Sequence, residues 1–101
     1  MLRRQSRFDL APNTAVVTTS WVTRQGMDIL LVSHERDDDV WQFHCGNGDH
    51  APERLMLVAL STIVALDPTV NEVAGLPAGY TATRQARGGE WVIRRDEEPE
   101  E

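Results

Sequence analysis

The hydrophobic pattern changes character along the chain. Residues 14–23, TAVVTTSWVT, are dense in β-branched side chains with a tryptophan among them, and predict a strand. RQG at 24–26 is a turn, with Gly26 where a positive φ is needed. MDILLVSHE at 27–35 predicts a second strand, paired with the first as a hairpin. RDDD at 36–39 is a polar connection. VWQFHC at 40–45 then alternates, with Val40, Gln42 and His44 on one face and Trp41, Phe43 and Cys45 on the other. GNGDHAPE follows as a loop.

From residue 55 the alternation disappears. LMLVALSTIVAL, residues 55–66, is the most apolar segment of the chain and admits two readings. It is either one helix opening near Pro52 or an extended run to Leu60 that leads into a short helix capped by Ser61. The second is preferred, because a Ser-Thr pair suits a cap better than a helix interior. Asp67-Pro68 interrupts the element, since the residue before proline disfavours the helical region. PTVNEVAGL predicts a second short helix, with Pro68 in its first turn and Gly75 at its end. PAGYTATRQA at 77–86 and EWVIRR at 90–95 predict two closing strands around the turn RGG. The expected fold class is α+β: a mainly antiparallel sheet of about five strands with one or two short helices packed on it. Residues 14–95 form a single domain, 1–13 a flexible N-terminal arm and 96–101 an acidic, disordered tail.

Composition alters this picture in three places. All ten basic residues are arginine, which fits the coding bias of a GC-rich genome better than a need for the guanidinium group everywhere. The formal charge is −6, but DEEPEE at 96–101 holds five acids and no base, so residues 1–95 carry only −1. The acidity belongs to the tail, which reads as a solubilising end or as a contact for a basic partner. Arg3, Arg4 and Arg7 cluster only at the N-terminus, so no basic nucleic-acid patch is expected. The single cysteine excludes an internal disulfide and fits a reducing compartment. No run approaches the length of a membrane span, and no apolar stretch follows the N-terminal arginines as a secretory signal requires. The expected location is the cytoplasm, away from membranes.

The candidate chemistry lies in residues 34–50. His34, His44 and His50 are a possible metal set, with Asp49 nearby. However, His44 and Cys45 are neighbours in a strand and leave it on opposite faces, and no CxxC or HxxxH spacing supports a zinc site. Cys45 is a possible nucleophile, but it shares a face with Trp41 and Phe43, where burial would disfavour the thiolate. Asp37, Asp38 and Asp39 read as a solvated turn bonded to its own backbone rather than as paired catalytic carboxylates. The glycines of CGNGDH lack the lysine of a phosphate loop. Trp41 reads as core, while Trp21 and Trp91, with Arg84, are the candidates for contact with a partner. No catalytic residue and no cofactor is assigned.

SHERDDDVWQFHCGNGD, LSTIVALDPTV and LPAGYTATR with GGEWVIRR together resemble a family of small bacterial proteins, the immunity protein 33-like domain. Some members of that family are predicted antidotes to bacterial toxins. Trp41, Phe43, Gly46, Leu60, Thr62, Ile63, Asp67, Pro68, Leu76, Pro77 and Gly79 carry the resemblance, over about residues 15–95. It implies structural anchors, caps and turns, with no established catalytic residue. The function expected is therefore a non-enzymatic interaction domain of immunity type, covering a toxin-like or basic partner. The alternatives are a small metal- or thiol-dependent enzyme centred on His34, His44, Cys45 and His50, and a homo-oligomeric structural protein, such as a homodimer formed through a sheet edge or an exposed tryptophan.

Overall fold

The computed structural model describes residues 6–46 and 54–96. Its strands are β1 (Ala15–Thr19), β2 (Leu31–His34), β3 (Trp41–His44), β4 (Leu55–Ala59), β5 (Tyr80–Thr83) and β6 (Val92–Arg95). Between them lie two α-helices, α1 (Ser20–Thr23) and α2 (Leu60–Leu66), and a 3-10 helix, Pro68–Val73. The six strands form one sheet in the order β4-β1-β3-β2-β5-β6. The class is α+β, as expected, but the sheet is mixed: β1 runs parallel to β3 and every other neighbouring pair is antiparallel.

The predicted hairpin between the first two strands does not form. The strand expected over 14–23 stops at Thr19, opposite Leu55, where its partner β4 begins. There the chain turns through α1, closed by Arg24 N–H donating to the Ser20 carbonyl at 2.9 Å. Residues 20–30 then carry the chain past one strand position, and β3 fills the gap beside β1. The hydroxyl of Thr18, itself fully buried, donates to the Phe43 carbonyl at 2.8 Å and stitches this parallel pair together. The segment 55–66 is strand followed by helix, the preferred reading. The cap is wrong, however: Ala59 precedes α2 with no side-chain cap, and Ser61 lies within the first turn.

Alternation sorts the sheet into two faces. Val16, Val32, Phe43 and Ala82 point to the covered face and are fully buried beneath α2 and the 3-10 helix, which contribute Leu60, Ile63, Val70 and Val73. Phe8 joins them from the N-terminal segment. It sits edge-on to Trp41 at 4.9 Å and to Phe43 at 6.0 Å between centroids, and is 5% exposed. The stretch expected as a flexible arm is therefore anchored from Phe8 onward. Leu31, Ser33, Gln42 and Thr81 point to the other face, together with Leu57 and Val92 at its two flanks. Leu57 and Val92 are 69% and 51% exposed, and the described helices leave this face uncovered.

Gly79 shows why LPAG precedes β5. Tyr80 N–H donates to the Pro77 carbonyl at 3.2 Å, closing a turn whose third residue, Gly79, has φ +89°. A side chain there is strained whatever space surrounds it. The same glycine's N–H donates to the His34 carbonyl at 2.7 Å, so the turn sets the register of β5 on β2.

Because Phe8 fills the core, Phe8→Ala is expected to cost about 3–5 kcal/mol in urea denaturation. A loss below about 1 kcal/mol would mean that the N-terminal segment adds nothing to the core.

Candidate functional site

The histidines and the cysteine marked in the sequence are dispersed by the sheet. His34 pairs with Trp41 and Leu31 with His44 along the β2–β3 ladder. His34 and His44 are therefore three residue steps apart, roughly 10 Å along the strands, and on opposite faces. A metal needs ligands within about 2.3 Å of one point, which this register prevents for the pair. His50 and Asp49 lie outside the described residues. Among the described residues no group of three His, Cys, Asp or Glu side chains is placed to hold a metal ion.

The two described histidines have local bonding roles instead, and Cys45 is buried. His44 is 8% exposed, and its Nε2 lies 2.9 Å from Oε1 of Gln42 two residues earlier on the same face. Cys45, on the covered side with Trp41 and Phe43, is a buried free thiol at 5% exposure. It borders a cleft of about 250 Å³ with Leu30, Leu31, Thr83 and Gln85. His34 stacks on Trp41 at 4.1 Å and 17°, places Nδ1 2.8 Å from the Leu76 carbonyl and Nε2 2.6 Å from Oδ1 of Asp39. A carbonyl and a carboxylate thus flank the ring, one at each nitrogen, and engage both of them within the fold.

The acidic turn explains its own composition. Asp38 accepts from Val40 N–H at 3.1 Å, the self-bonded turn expected of RDDD. Asp39 has φ +62°, a conformation that Asp tolerates better than most side chains, and this turns its carboxylate back onto His34. The cleft beside this bond, about 220 Å³, is bordered by Asp9, Leu10, His34, Asp39, Trp41 and Leu76. It joins the N-terminal segment to the β2–β3 turn.

Arg84, just after β5, is a heavily bonded polar group. Its side chain is fully buried, against an Asp67 side chain 4% exposed. Nη2 lies 2.7 Å from Oδ2 of Asp67 and 2.9 Å from the Ile29 carbonyl, Nε lies 3.0 Å from that same carbonyl, and Nη1 donates to Thr69 Oγ1 at 2.8 Å. The guanidinium also stacks on Trp91, with its carbon 4.1 Å from the ring centroid. Asp67 in turn accepts from Thr69 N–H at 3.0 Å and from the Thr69 hydroxyl at 2.5 Å, opening the 3-10 helix. Thus Arg84, considered from sequence as a partner contact, has no exposed charge to offer. Trp91 is half-buried and donates from Nε1 to Glu72 at 3.1 Å, and half-buried Trp21 lies under the Arg54 guanidinium at 4.7 Å.

Two features were not singled out from sequence, the core role of Phe8 and the pairing of Asp67 with Arg84. Phe8 is the lone aromatic of the N-terminal segment, a signal that was present but outweighed by its surroundings. The partnership of Asp67 with Arg84 spans seventeen residues and carries no local signature.

No family model, curated protein or solved structure matches the chain. No described helix is long and apolar enough to cross a membrane.

Asp67→Ala leaves the Arg84 charge buried without its counter-ion, and is expected to destabilise the fold by about 3–5 kcal/mol. The double variant Asp67→Leu/Arg84→Met removes both charges and is expected to be more stable than Asp67→Ala. Urea denaturation of the two variants measures this. A double variant no better than the single would mean that charge burial is not the cost.

Proposed function

We propose that this chain is a non-enzymatic protein-interaction domain of the immunity protein 33-like type, which acts by covering a surface of a basic, toxin-like partner. The observation that carries this reading is the division of the sheet. One face is buried under helices, while the other presents apolar flanks, Leu55 and Leu57 at one side and Val92 at the other, with half-buried Gln42 and Thr81 between. Exposed apolar side chains such as these are candidate contact points for another chain.

The bonding of the reactive side chains supports the same reading. His34 is committed at both nitrogens, Cys45 is buried among apolar groups, and Asp67 and Arg84 neutralise each other inside the fold. These residues hold shape, which an antidote needs if it binds a preformed surface. The five acids of residues 96–101 add long-range attraction toward a basic partner. The positions that carry the family resemblance fit structural duties: Trp41 and Phe43 in the core, Gly46 at φ +76°, Asp67 and Pro68 opening the 3-10 helix, and Pro77 with Gly79 in the turn before β5.

The test is affinity capture from lysate of the protein's own source, with tagged wild type compared against Thr83→Arg and Val92→Asp. Both substitutions lie on the open face, away from β4. A discrete partner is expected with the wild type and with Ala65→Glu on the exposed side of α2, and at least tenfold less of it with either open-face variant. Capture of nothing by the wild type, or equal capture by all variants, would overturn the proposal.

A further inference from the structure

The two edges of the sheet are built differently. β6 ends in Arg94 and Arg95, and charged side chains on an edge strand are a usual defence against pairing with another chain. β4 has no such defence. Its sequence, LMLVA, contains no charge and no proline, and β1 is its only strand neighbour among the described residues. Its outer edge therefore offers backbone N–H and C=O groups to a further strand, beside Leu57 at 69% exposure.

We propose that β4 pairs antiparallel with β4 of a second copy, about a two-fold axis through Leu57, joining two six-stranded sheets into one. The register is self-complementary. Leu57 faces its own copy, Met56 faces Val58, Leu55 faces Ala59, and Arg54, the nearest charge, faces Leu60. Facing apolar pairs stabilise an antiparallel ladder, and no like charges meet across this one. The symmetry also selects the occupant. β4 against β6 of another copy is a head-to-tail contact that propagates without closing, and it would set Arg94 and Arg95 against the apolar strand, whereas β4 against β4 closes at two. The contact is small: five residues a side fall well short of the roughly 1,600 Å² of a standard interface. The association is accordingly weak, of the transient kind. Leu55 and Leu57 also flank the surface assigned to the partner proposed above, but the variants that test that partner lie away from β4, so the two proposals can fail separately.

Sedimentation velocity of the full chain, from about 5 μM to 1 mM, reads the association directly. The mass is expected to rise from 11.3 kDa toward twice that value as concentration increases. L57R and L57D are each expected to stay monomeric, since like charges then face each other across the axis. An equimolar mixture of the two is expected to associate again, because a guanidinium now faces a carboxylate. Leu57 is exposed, so both variants should keep the wild-type far-ultraviolet circular dichroism, and V92R at the other edge should associate as the wild type does. A wild type monomeric at every concentration would overturn the proposal. So would association of L57R at wild-type strength, a mixture that stays monomeric, or association abolished by V92R, which would indicate a head-to-tail chain. A wild-type monomer whose L57R variant loses a captured partner would assign the edge to a foreign strand, and would equally overturn it.

Discussion

The fold depends on one buried charge pair. Arg84 and Asp67 meet at 2.7 Å with side chains almost fully removed from water. Taking two ions out of water costs several kcal/mol each, so such a pair persists only where its remaining donors and acceptors are satisfied. Here they are met by the Ile29 carbonyl, the Thr69 hydroxyl and the Trp91 ring. Those partners come from the segment before β2, the start of the 3-10 helix and the segment before β6. One guanidinium therefore ties the sheet to the helical layer and holds the Ile29 carbonyl, which apolar packing alone would leave without that partner.

His34 plays a smaller version of the same part at the other end of β2. It is stacked on Trp41 and bonded to the Leu76 carbonyl and to Asp39, and so links the β2–β3 turn to the chain that enters β5. Arg84 and His34 thus clamp β2 and β5 at both ends of their shared ladder. The residues that look chemically reactive in the sequence are the ones that position its strands. A protein that binds through a preformed sheet surface gains from that stiffness, because less ordering remains to be done on binding.

The helical layer covers one side of the sheet and leaves the flanks of the other exposed. Its apolar residues sit at the flanks, Leu55 and Leu57 on β4 and Val92 on β6, with polar residues in the middle. The same arrangement makes β4 apolar on both its faces, because Met56 and Val58 pack toward the covered side while Leu55 and Leu57 do not. A strand of that composition is ordinary in the interior of a sheet and unusual at its edge, where solvent meets both the backbone and the side chains.

Much of this was legible along the chain, and the limit has a physical cause. Local pattern determined the strand character of residues 15–19, 31–34, 41–44, 80–83 and 92–95, the inward faces of Trp41, Phe43 and Cys45, the glycine turns, the Asp-Pro break and the strand-to-helix change within 55–66. Each rests on side-chain period or on φ restrictions within a few residues. Tertiary structure decided which strands became neighbours. β3 lies between β1 and β2, parallel to the one and antiparallel to the other, an arrangement that no local turn signal expresses. It also decided that His34 and His44 part company across the sheet, that Phe8 is core, and that Arg84 turns inward to Asp67. Burial of a charge is set by what the distant chain brings to meet it, and residues 67 and 84 meet only once the helical layer has closed on the sheet.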